Sequence, residues 1–323
     1  MVSTRGNFTE GMKKNMYDWF FESYDTVPTV YDQIFNTGTS DGAYSQSTKN
    51  TQLGDLLEKP EGDDIIFEHV GEGRIVIGKN RTFAKGIELS KEAVEDFPAS
   101  RTADILKEYA MQWGEAVRRS KEKFAAAFFN KGGYTAGDPI FNNTISGVVT
   151  DPSGNLVYDG KPFFTLTGNA RSSLNGGTYF NSHALALSAP NLITVNTSHT
   201  STNNRDENDE VISNRPDTML IPPALAPTAK VVLESEKLPG GANNDVNVNR
   251  NLVKIVQWDY LTDTDAWFLG KAKQGLQWRD RQPAVIDFYQ DSRNKNYYAT
   301  VNARWGAWVS DWRPWSGSQL STS

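Results

Sequence analysis

The sequence predicts an α+β fold, and three observations carry that prediction. Between Arg101 and Asn130, the residues Leu106, Tyr109, Trp113, Val117, Phe124 and Phe128 recur at spacings of three, four or seven, the period of one helical face. Near the C-terminus, Tyr297, Ala299, Val301, Ala303, Trp305 and Ala307 alternate with Tyr298, Thr300, Asn302 and Arg304, the period of a strand. Between them, residues 216–276 mix short apolar runs with a helical segment, as an α/β unit does.

Taken in order, residues 1–60 read as an arm. Phe8, Tyr17, Trp19, Phe20, Phe21, Tyr24, Tyr31, Phe35 and Tyr44 are scattered among Gly, Ser, Thr and Asn with no sustained period. Residues 62–90 read as a long β-hairpin. Ile65, Phe67 and His69 alternate outward, Ile75 and Ile77 alternate on the return, and Gly71-Glu-Gly73 supplies the turn, before a further strand from Thr82 to Leu89. No adjacent segment covers that hairpin, so it is expected to reach for a partner. Ser90 caps a short helix from Lys91 to Asp96, and Pro98 breaks the ladder before the long helix begins. The long helix is a rod of roughly 45 Å, stopped by Gly132-Gly133, with Arg118, Arg119, Lys121 and Lys123 on its remaining surface.

Residues 134–215 are rich in Asn, Ser, Thr and Gly, and Asn196 to Asn208 reads as a polar loop. Met219-Leu-Ile221 is a buried strand ending at Pro222-Pro223. The helix from Ala224 to Glu236 tolerates Pro227 in its first turn, and Val253 to Trp258 is a strand. Thr264 or Asp265 caps a short turn carrying Trp267 and Phe268. Val285–Tyr289 and the alternating run after Tyr297 close the chain.

Composition narrows the function. The chain has 323 residues, a formal charge of −6 and a pI near 5.3, which argues against wrapping nucleic acid through a basic surface. It has no cysteine, so disulfides, thiolate metal sites and cysteine nucleophiles are excluded. No signal peptide and no run of about 18 apolar residues is visible, and the expected setting is a cytoplasm or release by lysis.

Reactive constellations are sparse. Gly73-Arg-Ile-Val-Ile-Gly78-Lys79-Asn80 approaches a phosphate-loop motif but lacks its Ser/Thr, and its β-branched interior favours a strand. Asp263 and Asp265 have no acidic partner at calcium-loop spacing. His69, His183 and His199 lack zinc spacing. Asp206, Glu207, Asp209 and Glu210 read as a solvated loop tip, and Lys79 and Lys85 as ordinary surface lysines. No cofactor or metal is expected.

Three motifs then carry a resemblance: Pro216-Asp-Thr-Met-Leu-Ile-Pro-Pro-Ala-Leu, Tyr260-Leu-Thr-Asp-Thr-Asp-Ala-Trp-Phe, and the ending Arg304-Trp-Gly-Ala-Trp-Val-Ser-Asp-Trp-Arg. Together with the order of arm, hairpin, long helix, α/β segment and final strands, the chain resembles tailed-bacteriophage major capsid proteins of the Hong Kong 97-type fold. It is most similar to the group of the Mu-like major head subunit.

The resemblance implies an N-terminal arm at 1–60 and an extended loop at 61–90. It implies a peripheral domain at 91–134 and 277–323, with 101–130 as its spine, and an axial domain at 135–276. It implies pentamers and hexamers of one chain in an icosahedral head, with a portal, a decoration protein and weak, non-specific contact with packaged DNA. No membrane is involved, and assembly takes place in the host cytoplasm. Met1 leads straight into the arm, so a separate scaffolding protein is expected, and the crosslinking residues of some family members have no counterpart. The expected inter-subunit contacts are Trp19, Phe20, Phe21, Glu72, Arg74, Ile75, Ile77, Lys79 and Arg81. Seven of the nine tryptophans lie from Trp258 to Trp315, and most are expected in the subunit core.

Two alternatives stand beside this reading. One is an encapsulin-like nanocompartment shell of the same fold. The other is a β-rich carbohydrate-binding or glycan-degrading protein with exposed tryptophan platforms, for which no carboxylate pair is evident.

Overall fold

The computed structural model describes residues 5–48, 58–62, 64–65, 67, 75–92, 99–132, 161–173, 175–237 and 246–320. The expected α+β architecture is present as two sheets joined by one long helix. The strands are β1 (Asn36–Thr39), β2 (Tyr44–Thr48), β3 (Ile75–Lys79), β4 (Arg81–Leu89), β5 (Arg171–Ser172), β6 (Thr178–Tyr179), β7 (Ser182–His183), β8 (Thr218–Ile221), β9 (Lys254–Gln257), β10 (Trp267–Gly270), β11 (Leu276–Gln290), β12 (Tyr297–Val309) and β13 (Trp315–Ser318). Among the described residues no helix is long and apolar enough to cross a membrane.

The long helix runs from Ala99 to Asn130. Five of its six stripe residues are buried; Tyr109 is exposed, and Ala110 takes the interior place beside it. The stripe faces a four-stranded sheet ordered β1-β11-β12-β4, in which β11, β12 and β4 are antiparallel and β1 is parallel to β11. The predicted alternation holds along β12, where Ala299, Val301, Ala303, Trp305 and Ala307 are all buried. Phe124 of the helix meets Phe83 at 5.8 Å and Trp278 at 5.9 Å, and Phe83 in turn stacks on Trp305 at 4.0 Å, so the helix and sheet lock through ring contacts.

The first residues are helical where the sequence shows no sustained period. Residues Arg5–Tyr24 form a 20-residue helix that packs on the long helix. Met16 and Phe20, four residues apart, are fully buried on one face. Trp19 and Phe21 lie off that face, which blurs the period in the sequence. The two helices approach closely at Gly114, where an added Cβ would sit 2.2 Å from Ser23 Oγ and 2.6 Å from the Phe20 carbonyl. Gly114→Val is therefore expected to lift the N-terminal helix off its partner. Amide hydrogen exchange across residues 5–24 should rise sharply while that of β11 and β12 stays slow.

The second sheet is ordered β7-β13-β10-β8-β9 and is covered on both faces. Leu220 and Phe268 turn toward the end of the long helix. Met219, Ile221, Trp267 and Leu269 turn toward helices Ala189–Thr197 and Ala226–Glu234. All four residues of β8 and of β10 are buried for that reason. The expected capped turn at Trp267 is thus a central strand, and Asp263 tightens the preceding turn by accepting from the Asp265 N–H at 3.1 Å. The polar stretch Asn196–Asn208 also departs from expectation. Helix Ala189–Thr197 is capped by Ser188, and a wider turn over Ser198–Thr202 continues it.

That turn buries His199, whose Nδ1 lies 2.8 Å from Ser316 Oγ. Burial, reinforced by neighbouring His183, pushes the His199 pKa down to about 4 from 6.5. The unfolded chain takes up the proton first. The stabilising contribution is therefore complete above pH 6.5 and is lost as pH falls toward 4, by about 3 kcal/mol. Urea midpoints measured from pH 7 to pH 4 should fall less steeply in His199→Gln than in the parent.

Candidate assembly interface

β3 pairs antiparallel with β2, from Tyr44↔Lys79 to Thr48↔Ile75; the expected outward strand at 65–69 lies largely outside the described residues. A two-stranded ribbon therefore adjoins the first sheet, and residues 49–74 separate its strands in sequence. At its base an added Cβ on Gly78 would overlap the Trp308 ring, so only glycine lets β3 lie this close to β12. Asn80, between β3 and β4, donates from Nδ2 to the Gly42 carbonyl at 2.8 Å and to Ser40 Oγ at 3.0 Å, fixing the ribbon's angle.

The expected contact residues separate into groups. Phe20 is fully buried, and Arg81 is buried with its guanidinium 5.6 Å from the Phe124 ring centre. Burial pushes the Arg81 pKa down to about 10. Both residues are interior and leave no side chain for a neighbour, which corrects that part of the expectation. Trp19 is half-buried against the subunit core. Phe21 is exposed beside Tyr17 and Tyr24. Lys79 is exposed at the end of β3. Ile75 and Ile77 lie on β3. Glu72 and Arg74 fall outside the described residues, as does the predicted turn at 71–73.

Other exposed apolar residues stand outside the named contacts. Tyr44 lies on the ribbon, and Ile65 and Phe67 lie beyond it at 65% and 84% exposure. Ile193, Val211, Val246 and Val248 are exposed around the second sheet's helices. Their signal in the sequence is weak, because isolated apolar residues in polar loops have no period.

The segment after the N-terminal helix is anchored to the long helix by buried charge. Glu122, almost fully buried on the long helix, accepts from the N–H groups of Val30 at 2.7 Å and Tyr31 at 3.3 Å, and from Trp258 Nε1 at 2.6 Å. Burial pushes its carboxyl upward and those three donors pull it back in part. Lys121 pairs with Asp280 at 2.9 Å, and Arg118 donates to the Val27 carbonyl at 2.7 Å. These groups stitch the N-terminal segment to both sheets. Among the described residues no group of three or more His, Asp or Glu is placed to hold a metal. The seven tryptophans from Trp258 to Trp315 are all buried, so none offers a sugar platform.

A reaching ribbon, a long helix backing a four-stranded sheet, and exposed apolar side chains at the periphery define a subunit built to join others. The comparisons agree. A family model described as phage capsid protein matches residues 78–315, most of the chain. The chain belongs to that family, and it is a structural subunit of a virion shell formed from many copies of itself, without enzymatic activity.

Solved structures share the fold at low identity. The cyanophage P-SCSP1u capsid aligns at 10% identity over 92% of this chain and 89% of that one, with a TM-score of 0.56. The bacteriophage JBD30 capsid aligns at 14% over 73% and 92%, with a TM-score of 0.52. The capsid of an empty GTA particle aligns at 11% over 92% and 92%, with a TM-score of 0.50. No curated protein matches the chain significantly.

Proposed function

We propose that the chain is the major head subunit of a tailed bacteriophage, closest to the Mu-like group, and that it forms the pentamers and hexamers of an icosahedral DNA-containing head. The observation that carries this is the phage capsid family match over 78–315, which spans both sheets and the long helix. The long helix with β11 and β12 then serves as the peripheral domain (91–134 and 277–323), and β1 and β4 from the preceding segments extend its sheet. Residues 135–276, with β8, β9, β10 and the helices packed on them, serve as the axial domain, whose sheet is completed by β13 from the chain's end, and the segment 61–90 serves as the extended loop. The 1–60 arm is in part a docked helix, and Phe21 on its outer side and Lys79 on the ribbon remain proposed contacts, with Trp19, Glu72, Arg74, Ile75 and Ile77.

The partners proposed are a separate scaffolding protein, a portal and a decoration protein, with assembly in the host cytoplasm. A net charge of −6 suits a wall that contacts packaged DNA weakly. Cysteine-free shells draw durability from many noncovalent contacts, each modest after association costs but multiplied around the particle. An encapsulin-like compartment is the less supported shell reading, and terminase and portal genes beside this one separate the two.

Size-exclusion chromatography of the protein expressed with and without its scaffolding partner tests the proposal. Particles of megadalton size are expected with the partner. A strictly monomeric chain under both conditions, or glycan hydrolysis by it, contradicts the proposal.

A further inference from the structure

We propose that His183 and His199 form an acid-operated latch, which holds the turn Ser198–Thr202 and the edge strand β7 on β13 at neutral pH and releases them in mild acid. The latch is a property of the single subunit and goes beyond the shell function proposed above.

β13 is held by two separate pieces of chain. β7 pairs with it in parallel, through Gly317↔Ser182 and Ser318↔His183. The turn Ser198–Thr202 meets it through His199, whose Nδ1 lies 2.8 Å from Ser316 Oγ. β7 is two residues long and ends its sheet. The turn is one wide loop closed by the Asn203 N–H donating to the Ser198 carbonyl at 2.8 Å, five residues back. That geometry is uncommon and recurs at functional places. The other ties at this seam are neutral: the Phe180 N–H donates to Asn203 Oδ1 at 3.1 Å, and the Gln319 N–H to the His183 carbonyl at 2.8 Å. Protonation of the two rings is therefore what loads the seam with charge.

A charged imidazole has two N–H donors to satisfy. His199 is almost fully buried, and Nε2 of both His199 and His183 is sealed from solvent with no hydrogen-bond partner among the described residues. A proton on either ring is then a buried, unpaired charge, and a charge on His183 opposes one on His199. No carboxylate among the described residues bears on either ring. The nearby Asp209 carboxyl is held below its ordinary range by the Ser173 and Tyr179 hydroxyls, so it titrates at lower pH than the rings. Burial holds His183 below 6.5, and burial with His183 holds His199 at about 4. Once the turn opens, both rings face water and take up protons near 6.5. The closed form is therefore favoured fully above pH 6.5 and loses ground as pH falls toward 4. Glu122 behaves oppositely: burial raises its carboxyl, so its contribution grows over the same descent. The seam at β13 yields in acid while the anchor on the long helix holds.

Amide hydrogen exchange read by mass spectrometry, with rates corrected for the intrinsic effect of pH, tests the latch on the full chain. Between pH 7 and pH 5, protection over residues 180–185 and 198–204 is expected to fall on the order of thirtyfold, the ratio that His199 at about 4 against 6.5 gives. The long helix and β12 should keep their protection. The double variant His183→Gln, His199→Gln should show a flat profile over 180–185 and 198–204. His183→Gln alone replaces only a half-buried ring, so it guards against a double variant that does not fold. It should show a smaller fall than the parent, because the opposing charge beside His199 is gone. Protection that stays constant from pH 7 to pH 5 in the parent overturns the proposal. So does a fall shared equally by β12, or one of the same size in a folded variant.

Discussion

Phe129→Ala is expected to destabilise the unassembled subunit by about 3–5 kcal/mol and to abolish shell formation. Phe129 is fully buried at the end of the long helix. Its ring meets Phe268 at 5.0 Å, Trp315 at 5.3 Å, Trp258 at 5.8 Å and Phe163 at 6.0 Å. Those partners come from β10, β13, the segment after β9 and the loop before β5, so one side chain plugs the long helix into the second sheet. Truncation leaves a cavity that several rigid rings cannot collapse into. Urea denaturation at low protein concentration, where assembly does not add to stability, should show the loss. Phe129→Leu should keep most of the stability, because it retains more of the volume.

Glu122→Ala is expected to cost about 3 kcal/mol, because it leaves the buried N–H groups of Val30, Tyr31 and the Trp258 indole without their acceptor. Glu122→Gln should cost less, since an amide oxygen still accepts, although its NH₂ faces a donor. The pH dependence has a definite sign. Burial raises the carboxyl pKa in the folded state, so the folded chain favours the proton. The contribution of Glu122 is then fullest below the unfolded carboxyl pKa and declines as pH rises through the folded value. The gap between parent and Gln variant should narrow as pH rises, measured as the difference in urea midpoints.

The features legible in the sequence were those whose signal is local. The long helix, β12 and β8 show their periods or apolar runs within a dozen residues, and each was placed within a few residues of its observed ends. What escaped depends on distant partners. β10 is a four-residue strand buried on both faces, so it has no alternation to betray it. The β2–β3 ribbon joins segments some thirty residues apart, a pairing that no local period announces. The N-terminal helix hides its stripe because Trp19 and Phe21 lie off the Met16–Phe20 face.

The assembly surface was read least well for a related reason. Arg118 and Lys121 looked like a solvated helix face, yet the N-terminal segment and Asp280 cover them. Phe20 looked like a reaching aromatic but fills the subunit's own core. Whether an aromatic or a cation is interior is decided by what folds over it, and no local pattern carries that. The seven C-terminal tryptophans were the easier case, since alternation along β12 and the apolar runs around them set the faces they occupy.

The most direct test of the account is electron microscopy of the purified protein produced with the scaffolding partner proposed for it. The account expects closed shells whose averaged images resolve five-fold and six-fold clusters of this one chain. A uniform population of monomers, or open aggregates without rotational symmetry, from folded protein under those conditions contradicts it.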